Sequence, residues 1–279
     1  ETLRGITTYA EEQELQINIV MGSLDEVCPR YLSQRIVDGL IVLGLRRNES
    51  YLLDSEDTQL PIVLTNYHKE YRNYPSVSFA HAEDARRLTS LIISRGHTEI
   101  GFIDFTRYLM YTQNRRAGFE RALRDAELDL PAEYFLSVQG LNEQEAGREA
   151  AMRYLSLPVK PTALMAPSDN VALSCMSALV ANGVRVPEDV SIVGVDDVPL
   201  AKYAHPPLAT DALDGYLRGR KSMEMMAELL SGHELRLRHI FLHSEIKQRE
   251  SLADVSGSRV GKANPMVSDP GPIETNNEE

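Results

Sequence analysis

The sequence has no tryptophan, only two cysteines, and no apolar run long enough to cross a bilayer. A transmembrane helix needs about 20 consecutive apolar residues, so we expect no membrane span. The opening residues also lack the pattern of a signal peptide. Cys28 and Cys175 are too few for a disulfide framework and lack the spacing of metal ligands. We therefore predict reduced thiols in a cytoplasmic protein that carries neither a metal nor a cofactor.

An excess of positive charge is also missing, which limits the partners of the chain. The formal net charge is −12. A surface that binds nucleic acid directly needs clustered Lys and Arg to neutralise phosphates, so we expect no direct DNA-binding surface in these residues. At 279 residues, the chain is long enough for two domains of ordinary size.

Apolar periodicity predicts an alternation of helices and strands. Amphipathic patterns typical of helices occupy residues 1–15, 82–95, 114–126, 143–155 and 170–182, and a further helical stretch ends at residue 35. Apolar runs typical of buried strands lie at residues 17–21, 37–43, 61–65, 76–79, 100–104, 134–138 and 162–166. Such alternation indicates parallel sheets built from right-handed βαβ units. We predict an α/β fold with two lobes, because roughly nine or ten strands are too many for one small sheet.

Two further stretches differ from this alternation. Residues 253–279 contain no aromatic residue and are rich in Gly, Pro, Ser, Asn and acids, so they cannot bury enough apolar surface to offset their chain entropy. We predict a disordered C-terminal tail. Met223, Met225 and Met226 lie in a helical pattern, and we predict that they form core and subunit interface rather than a promiscuous binding face.

The stretch from Pro187 to Asp197 is the most informative part of the chain. An apolar run rich in β-branched residues predicts a buried parallel strand, which is followed by a pair of carboxylates, Asp196 and Asp197. Open α/β sheets bind ligands just beyond the carboxyl ends of their strands. Asp196 is therefore predicted to lie where a ligand is held.

Short motifs follow one another in a characteristic order over residues 1–252. They are Leu3-Arg4-Gly5-Ile6, Val37-Asp38-Gly39-Leu40-Ile41, Ser94-Arg95-Gly96-His97 with Ile100-Gly101-Phe102-Ile103, Arg115-Arg116-Ala117-Gly118-Phe119 with Ala122-Leu123, Pro161-Thr162-Ala163, Asp169 with Ala172-Leu173, the stretch from Pro187 to Asp197, Pro206-Pro207-Leu208, Gly219-Arg220 and Arg249-Glu250-Ser251. Each motif is weak alone. Their order and spacing together resemble the effector-binding domain of the LacI/GalR family of bacterial transcriptional regulators.

This resemblance implies a periplasmic-binding-protein-like fold, with two doubly wound parallel-sheet lobes joined by crossovers. It places residues 1–79 and 215–242 in the N-terminal lobe, and residues 80–210 and 244–252 in the C-terminal lobe. A family member also carries a helix-turn-helix, a hinge helix and a first strand ahead of this region. We therefore expect the sequence to be part of a longer protein that forms a homodimer and binds operator DNA through that preceding segment.

The resemblance assigns effector contact to Arg115 and Asp196. A carboxylate accepts hydroxyl donors and a guanidinium presents a fork of donors, so this pair suits a sugar-like ligand. The residues themselves leave a structural alternative open, in which the two side chains pair with each other or cap a turn.

Three weaker candidates follow two other strands. Ser168 and Asp169 open the helix after residues 162–166, where either can be an N-cap, and the resemblance implies that this position also touches ligand. Asn66 follows residues 61–65 and is expected to face the same cleft, although asparagine is also an ordinary turn residue.

Two positions depart from the family pattern. Ala80 and His81 stand where the family commonly has an Asp-Asn pair, and Asn142 stands where it often has an aromatic ring that stacks on the effector. We include Asn142 among the predicted ligand contacts. The loss of an apolar ring face indicates a more polar or differently oriented ligand. Tyr108 and Tyr111 are candidates to replace that ring, and the alternative is that they are surface tyrosines.

We predict the effector-sensing domain of a LacI/GalR-type transcriptional repressor. A small sugar-like or nucleoside-like effector would bind between the lobes and shift the equilibrium between two lobe arrangements. The alternative is a periplasmic solute-binding protein with the same fold. We do not expect an enzyme, because the sequence shows no nucleophile–base order and no phosphate-binding or metalloprotease motif.

Overall fold

The structure is a computed structural model that describes residues 1–23, 31, 36–44, 60–67, 69–105, 110–140 and 142–258. The helices are α1 Thr2–Glu12, α2 His81–Ser94, α3 Met110–Asp125, α4 Glu143–Ser156, α5 Asp169–Ala181, α6 Pro199–Tyr203 and α7 Gly215–Leu230. The strands are β1 Leu40–Val42, β2 Ile62–Leu64, β3 Ser76–Phe79, β4 Ile100–Phe105, β5 Phe135–Val138, β6 Ala163–Met165, β7 Ser191–Val195, β8 Ala209–Ala212, β9 His239–Leu242 and β10 Glu245–Lys247.

The strands form two separate sheets. The first has the order β1-β2-β3-β9 and is entirely parallel. The second has the order β10-β8-β7-β6-β4-β5 and is parallel except for β10, which runs antiparallel to β8. The predicted α/β fold with parallel sheets is therefore confirmed.

Each sheet has its own apolar core, and the two halves of the molecule are called the first and second lobes below. In the first lobe, α1 and α7 pack against β2 and β3, and the core includes Ile6, Val63 and Val77 together with Met223, Met225 and Met226. The Met-rich helix is thus core, as predicted. In the second lobe, α2 with α3 and α4 with α5 cover the sheet, whose strands β4, β6 and β7 are completely buried.

The chain passes between the sheets three times in the described residues, after β3, after β8 and after β9. These crossovers bring the carboxyl ends of both sets of parallel strands to one cleft. The residue limits predicted for the two lobes remain a prediction, because the sheets define strands and not the connecting residues. No helix in the described part of the chain has the length and apolar character to cross a membrane.

The prediction of a strand at residues 17–21 is wrong. This segment has no strand geometry, and Ile19 and Met21 are 63% and 94% exposed. An apolar run becomes a strand only where a neighbour exchanges backbone hydrogen bonds with it, and no described strand lies beside this one. The sheet ends instead at β1, which is paired only with β2 in the described residues.

The start predicted for the disordered tail, at residue 253, lies too early in the chain. Residues 253–255 are bound to the second lobe by backbone hydrogen bonds. The N–H of Ala253 donates to Ser191 Oγ at 2.9 Å, and that of Val255 donates to the carbonyl of Arg95 at 2.8 Å. A 3-10 turn then follows at Ser256–Ser258. Composition describes side chains and does not register such backbone hydrogen bonds. Several predictions fall outside the described residues. They concern the rest of the tail, Cys28, Tyr108 and, apart from Tyr31, the end of the helical stretch predicted up to residue 35.

A candidate ligand site between the lobes

A cavity of about 320 Å³ lies at the carboxyl ends of the strands of the second lobe. Its lining residues are Phe105, Tyr111, Thr112, Asn142, Glu143, Gln144, Pro167 and Ser168. Small-molecule sites in proteins usually have volumes of roughly 300–1,000 Å³. The cavity therefore has room for a molecule the size of a monosaccharide or a nucleoside.

Arg115 projects from α3 at the edge of this cavity and is only 3% exposed. Its guanidinium donates a hydrogen bond to the carbonyl oxygen of Pro167, and its central carbon lies 4.8 Å from the ring centre of Tyr111. Its Nη2 is 3.6 Å from Oδ1 of Asp196. The carbonyl and the ring hold the guanidinium in place, and its five N–H donors allow it to donate to a ligand as well.

Asp196 follows β7 with a backbone that residues other than glycine rarely adopt. Its φ is +118°, and the φ of Asp197 is +54°. Such geometry costs of order 1–3 kcal/mol per residue and persists only where the surroundings enforce it. Here the backbone N–H of Asp196 donates to the carbonyl of Asp211 at 2.9 Å, and Arg249 donates to Asp197 at 2.6 Å. This strained turn directs the Asp196 carboxylate toward Arg115.

The structure thus brings Arg115 and Asp196 together, and they pair as the structural alternative requires. The pairing does not exclude ligand contact, because the Asp196 side chain is still 37% exposed. A carboxylate with exposed surface next to a cavity retains lone pairs for hydroxyl donors.

The protonation of Asp196 predicts how stability depends on pH. Burial raises the pKa of Asp196 to about 7, although the Arg115 guanidinium favours the charged form. A carboxyl whose pKa is higher in the folded than in the unfolded protein contributes stability at low pH, and this is lost as pH rises from about 4 through about 7. We expect the melting temperature of the ligand-free protein to fall relative to that of Asp196→Asn over this range, and the difference to level off above it. Solvent at the exposed side of the carboxylate moderates the size of the effect.

Parallel thermal melts of the two proteins at a series of pH values check this. Burial also raises the pKa of Asp211, to about 6, but that group is present in both proteins and cancels in the difference. A difference in melting temperature that stays constant with pH would contradict the assignment to Asp196.

Ser168 and Asp169 occupy different positions although they are adjacent. Ser168 lines the cavity, caps α5 by accepting from the backbone of Val171, and donates to Glu143 Oε1 at 2.6 Å. Asp169 is fully buried, and its oxygens accept hydrogen bonds from Thr210 Oγ1 at 2.5 Å and from the backbone of Val198 at 2.8 Å.

Asp169 therefore supports the strained turn at Asp196 and Asp197 through its hydrogen bond to the backbone N–H of Val198. A Cβ at Gly194 would lie 2.2 Å from Asp169 Oδ1, so only glycine allows this close approach between β7 and the carboxylate. We assign Asp169 to positioning the turn that carries Asp196, and direct ligand contact by Asp169 remains a prediction.

The cavity wall opposite β7 is formed by the beginning of α4. Asn142 caps this helix, because its Oδ1 accepts from the backbone N–H of Glu145 at 2.9 Å, and it also lines the cavity. Glu143 beside it accepts hydrogen bonds from Ser168 and from Asn170 Nδ2 at 2.9 Å. Glu143 adds a carboxylate to the site that sequence analysis recognised only as the start of a helix.

The first lobe contributes Asn66 and Arg218 to the cleft. Asn66 follows β2, and its Oδ1 lies 3.5 Å from Nη1 of Arg218, at the limit of a hydrogen bond. Arg218 projects from α7, and its guanidinium carbon lies 4.8 Å from the ring centre of Phe79 at the end of β3. Arg218 was not predicted as a site residue, because the helical pattern does not distinguish it from Arg220 two residues later.

His81 lies where the chain first crosses between the lobes. Its ring centre is 5.8 Å from that of Tyr111 and 5.9 Å from that of Phe79. Burial, together with the charges of Arg115 and Arg218, lowers the pKa of His81 to about 3. The imidazole is therefore neutral at physiological pH and offers one donor and one acceptor. Sequence analysis noted His81 only as a departure from the family pattern.

Comparisons with known proteins show which family and which fold this chain resembles. Residues 89–252 match the family described as periplasmic binding protein-like domain. The chain is 30% identical over 261 residues to the HTH-type transcriptional repressor PurR of Aliivibrio fischeri, which covers 91% of this chain and 77% of PurR. Among solved structures, the putative transcriptional regulator LacI from Bacillus cereus subsp. cytotoxis is 28% identical with a TM-score of 0.81, covering 90% of each chain. The CelR–cellobiose complex is 24% identical with a TM-score of 0.79, covering 90% of this chain and 77% of CelR, and shows the likeness of fold alone.

The fold and the cleft define a periplasmic-binding-protein-like domain for sensing a small molecule. The chain belongs to the LacI/GalR family of transcriptional regulators, and it is the effector-sensing part of such a regulator. Relatives named PurR, ExuR and CytR are transcriptional repressors, which supports the regulator over the alternative of a solute-binding transport component.

Proposed function

We propose that the cleft binds a small polyhydroxylated molecule, a sugar or a nucleoside, as the effector of a transcriptional repressor. The observation that carries this proposal is the pair formed by buried Arg115 and partly exposed Asp196, which a strained turn holds beside a cavity of about 320 Å³. A guanidinium and a carboxylate side by side supply donors and acceptors in a fixed array, which suits hydroxyls that both donate and accept.

The same geometry explains how binding is communicated. Arg115, Asp196 and Glu143 belong to the second lobe, whereas Asn66 and Arg218 belong to the first. A ligand that touches both sets favours the arrangement in which the lobes are closest, and a ligand shifts an equilibrium only by its differential affinity for the two states. In the whole cytoplasmic regulator, a homodimer, this shift would alter affinity for operator DNA.

A screen for stabilising ligands tests the proposal. The protein is melted alone and with individual sugars and nucleosides, and hits are confirmed by calorimetry. A ligand present at 100 times its Kd adds about 2.7 kcal/mol to the free energy of unfolding, so a true effector should raise the melting temperature by several degrees. Failure of every sugar and nucleoside to shift the melting temperature would contradict the proposal.

A further inference from the structure

Arg218 is an unusual cation in this cleft because its surroundings are polar or aromatic but not acidic. Its Nη2 donates a hydrogen bond to Thr2 Oγ1 at 2.7 Å, and its Nη1 lies 3.5 Å from Asn66 Oδ1. Its guanidinium stacks over the ring of Phe79. Within the described residues, no carboxylate oxygen lies within 4.0 Å of it. Its Nε is buried and has no hydrogen-bond partner there.

Two arginines near Arg218, one across the cleft and one on the same helix, have acidic partners. Arg115 lies 3.6 Å from Asp196, and Arg220, two residues along the same helix as Arg218, pairs with Glu12 at 2.6 Å. Taking a cation out of water without a counter-charge is expensive, and buried charges in proteins are normally paired. Burial accordingly lowers the pKa of Arg218. A partly buried guanidinium that faces a ligand cleft without an acidic partner can bind an anionic group of a ligand.

Arg218 and Arg115 approach the cleft from opposite lobes. Arg218 lies 4.8 Å from the ring centre of Phe79, and Arg115 lies 4.8 Å from that of Tyr111. The ring of His81 lies between these two rings, 5.9 and 5.8 Å from their centres, so both guanidinium groups flank the same part of the cleft. The surroundings of the two arginines differ. The carboxylate of Asp196 lies 3.6 Å from Arg115 and balances its charge, whereas it acts on Arg218 only from beyond 4.0 Å. The acidic residues Asp196 and Glu143 lie on the side of the second lobe, and the uncompensated positive charge lies on the side of the first.

We propose that the effector carries an anionic group, a carboxylate or a phosphate, which Arg218 binds from the first lobe. Arginine suits this role because its planar fork matches the oxygens of both groups. The hydroxyl end of the same molecule would lie toward Arg115, Asp196 and Glu143. This inference rests on the proposed effector function and specifies the chemical class and the orientation of the ligand.

The test measures the affinity of matched pairs of ligands by calorimetry. Each neutral aldohexose is compared with its uronic acid and its 6-phosphate, and each nucleoside with its 5′-monophosphate, at constant ionic strength. The wild-type protein is compared with Arg218→Met, which keeps the apolar stem, and with Arg218→Lys, which keeps the charge. Arg220→Met is the matched control, because it removes the same charge from the same helix outside the cleft.

An acid or a phosphate should bind wild type at least about tenfold more tightly than its neutral counterpart, a difference of about 1.4 kcal/mol. Arg218→Met should lose that preference, Arg218→Lys should keep part of it, and Arg220→Met should keep all of it. The relative affinities for the uronic acid and the sugar phosphate then identify the anionic group.

Two results would overturn the inference while leaving the proposed function intact. One is a neutral ligand that binds as tightly as its charged counterpart, and the other is a preference for the anion that survives in Arg218→Met. If Arg218→Met markedly lowers the melting temperature of the ligand-free protein, Arg218 is a structural partner of Asn66 and Thr2, which also contradicts the inference. Binding of no compound in the panel would remove the proposed function and this inference with it.

Discussion

Arg115→Met is expected to abolish measurable binding of the effector while leaving the protein folded. The substitution keeps the apolar stem of the side chain but removes every N–H donor. The ligand, the carbonyl of Pro167 and the carboxylate of Asp196 therefore all lose the guanidinium as a partner. Truncating one member of a buried charge-assisted contact costs roughly 2–5 kcal/mol. This corresponds to a loss of affinity of about 30-fold to several thousand-fold.

Arg116→Met is the matched control for this experiment. Arg116 is the next residue on α3 and carries the same charge, but its side chain is 40% exposed and pairs with Asp104 at 2.6 Å and Glu120 at 2.8 Å. Calorimetry with a ligand verified on wild type should show little change in affinity for this control. Equal losses in the two variants would mean that overall charge, and not the position of Arg115, controls binding.

The elements of the second lobe could be predicted from sequence because their patterns are local and strong. Residues 100–104 were predicted as a strand and form most of β4, Ile100–Phe105, and the helix predicted at 143–155 is α4, Glu143–Ser156. Asn142 and Ser168 provide caps at the helix starts, so the same residues define the element and line the cavity. Where a fold places its caps beside its cleft, a sequence pattern locates part of the site.

The segment at residues 17–21 shows the limit of this approach. Apolar β-branched residues describe what a strand prefers, but pairing depends on a neighbour that may come from any part of a chain. The pattern of residues 17–21 is as strong as that of residues 37–43, yet only the latter contains a strand, β1, which has β2 beside it. Local preference predicts the candidate strand, and the partner decides whether it forms.

The candidate site was likewise predictable only in part. Asp196 follows a strand, and the carboxyl ends of parallel strands are where ligands bind, so its position follows from sequence. Arg218 lies within an amphipathic helix among other charged residues, and nothing in that pattern distinguishes it from Arg220, which pairs with Glu12 away from the cleft. The distinction arises from the packing of α7 on β3, where Arg218 meets Phe79. Tertiary contact, and not residue type, decides which of the two arginines faces the cleft.

Gly118→Ala is expected to destabilise the second lobe strongly. At this position α3 lies directly against α2, and a Cβ would be 2.0 Å from the carbonyl oxygen of Ala82 and 3.0 Å from Cβ of Ala85. A backbone carbonyl cannot rotate away, so the helices must separate. Overpacking of this kind costs roughly 1–3 kcal/mol, and we expect the upper end of that range despite the gain of about 1 kcal/mol in helix propensity. The melting temperature should fall by roughly 6–12 °C.

Gly215→Ala is the matched control, because the new Cβ at the start of α7 would meet side-chain atoms of Glu1 and Thr2 at 3.2 and 3.3 Å and the backbone nitrogen of Thr2 at 3.4 Å, without the severe overlap found at Gly118. Its melting temperature should stay within a few degrees of wild type, whereas an equal fall in both variants would contradict the role of close backbone approach.

Gly118 also lies three residues after Arg115, on the same face of α3, and α2 begins at His81. Separating the two helices therefore moves Arg115 away from His81 and Asp196. Calorimetry on Gly118→Ala, at a temperature where it remains folded, should show weaker effector binding than Gly215→Ala, and unchanged affinity would show that the packing of α2 on α3 does not position the guanidinium.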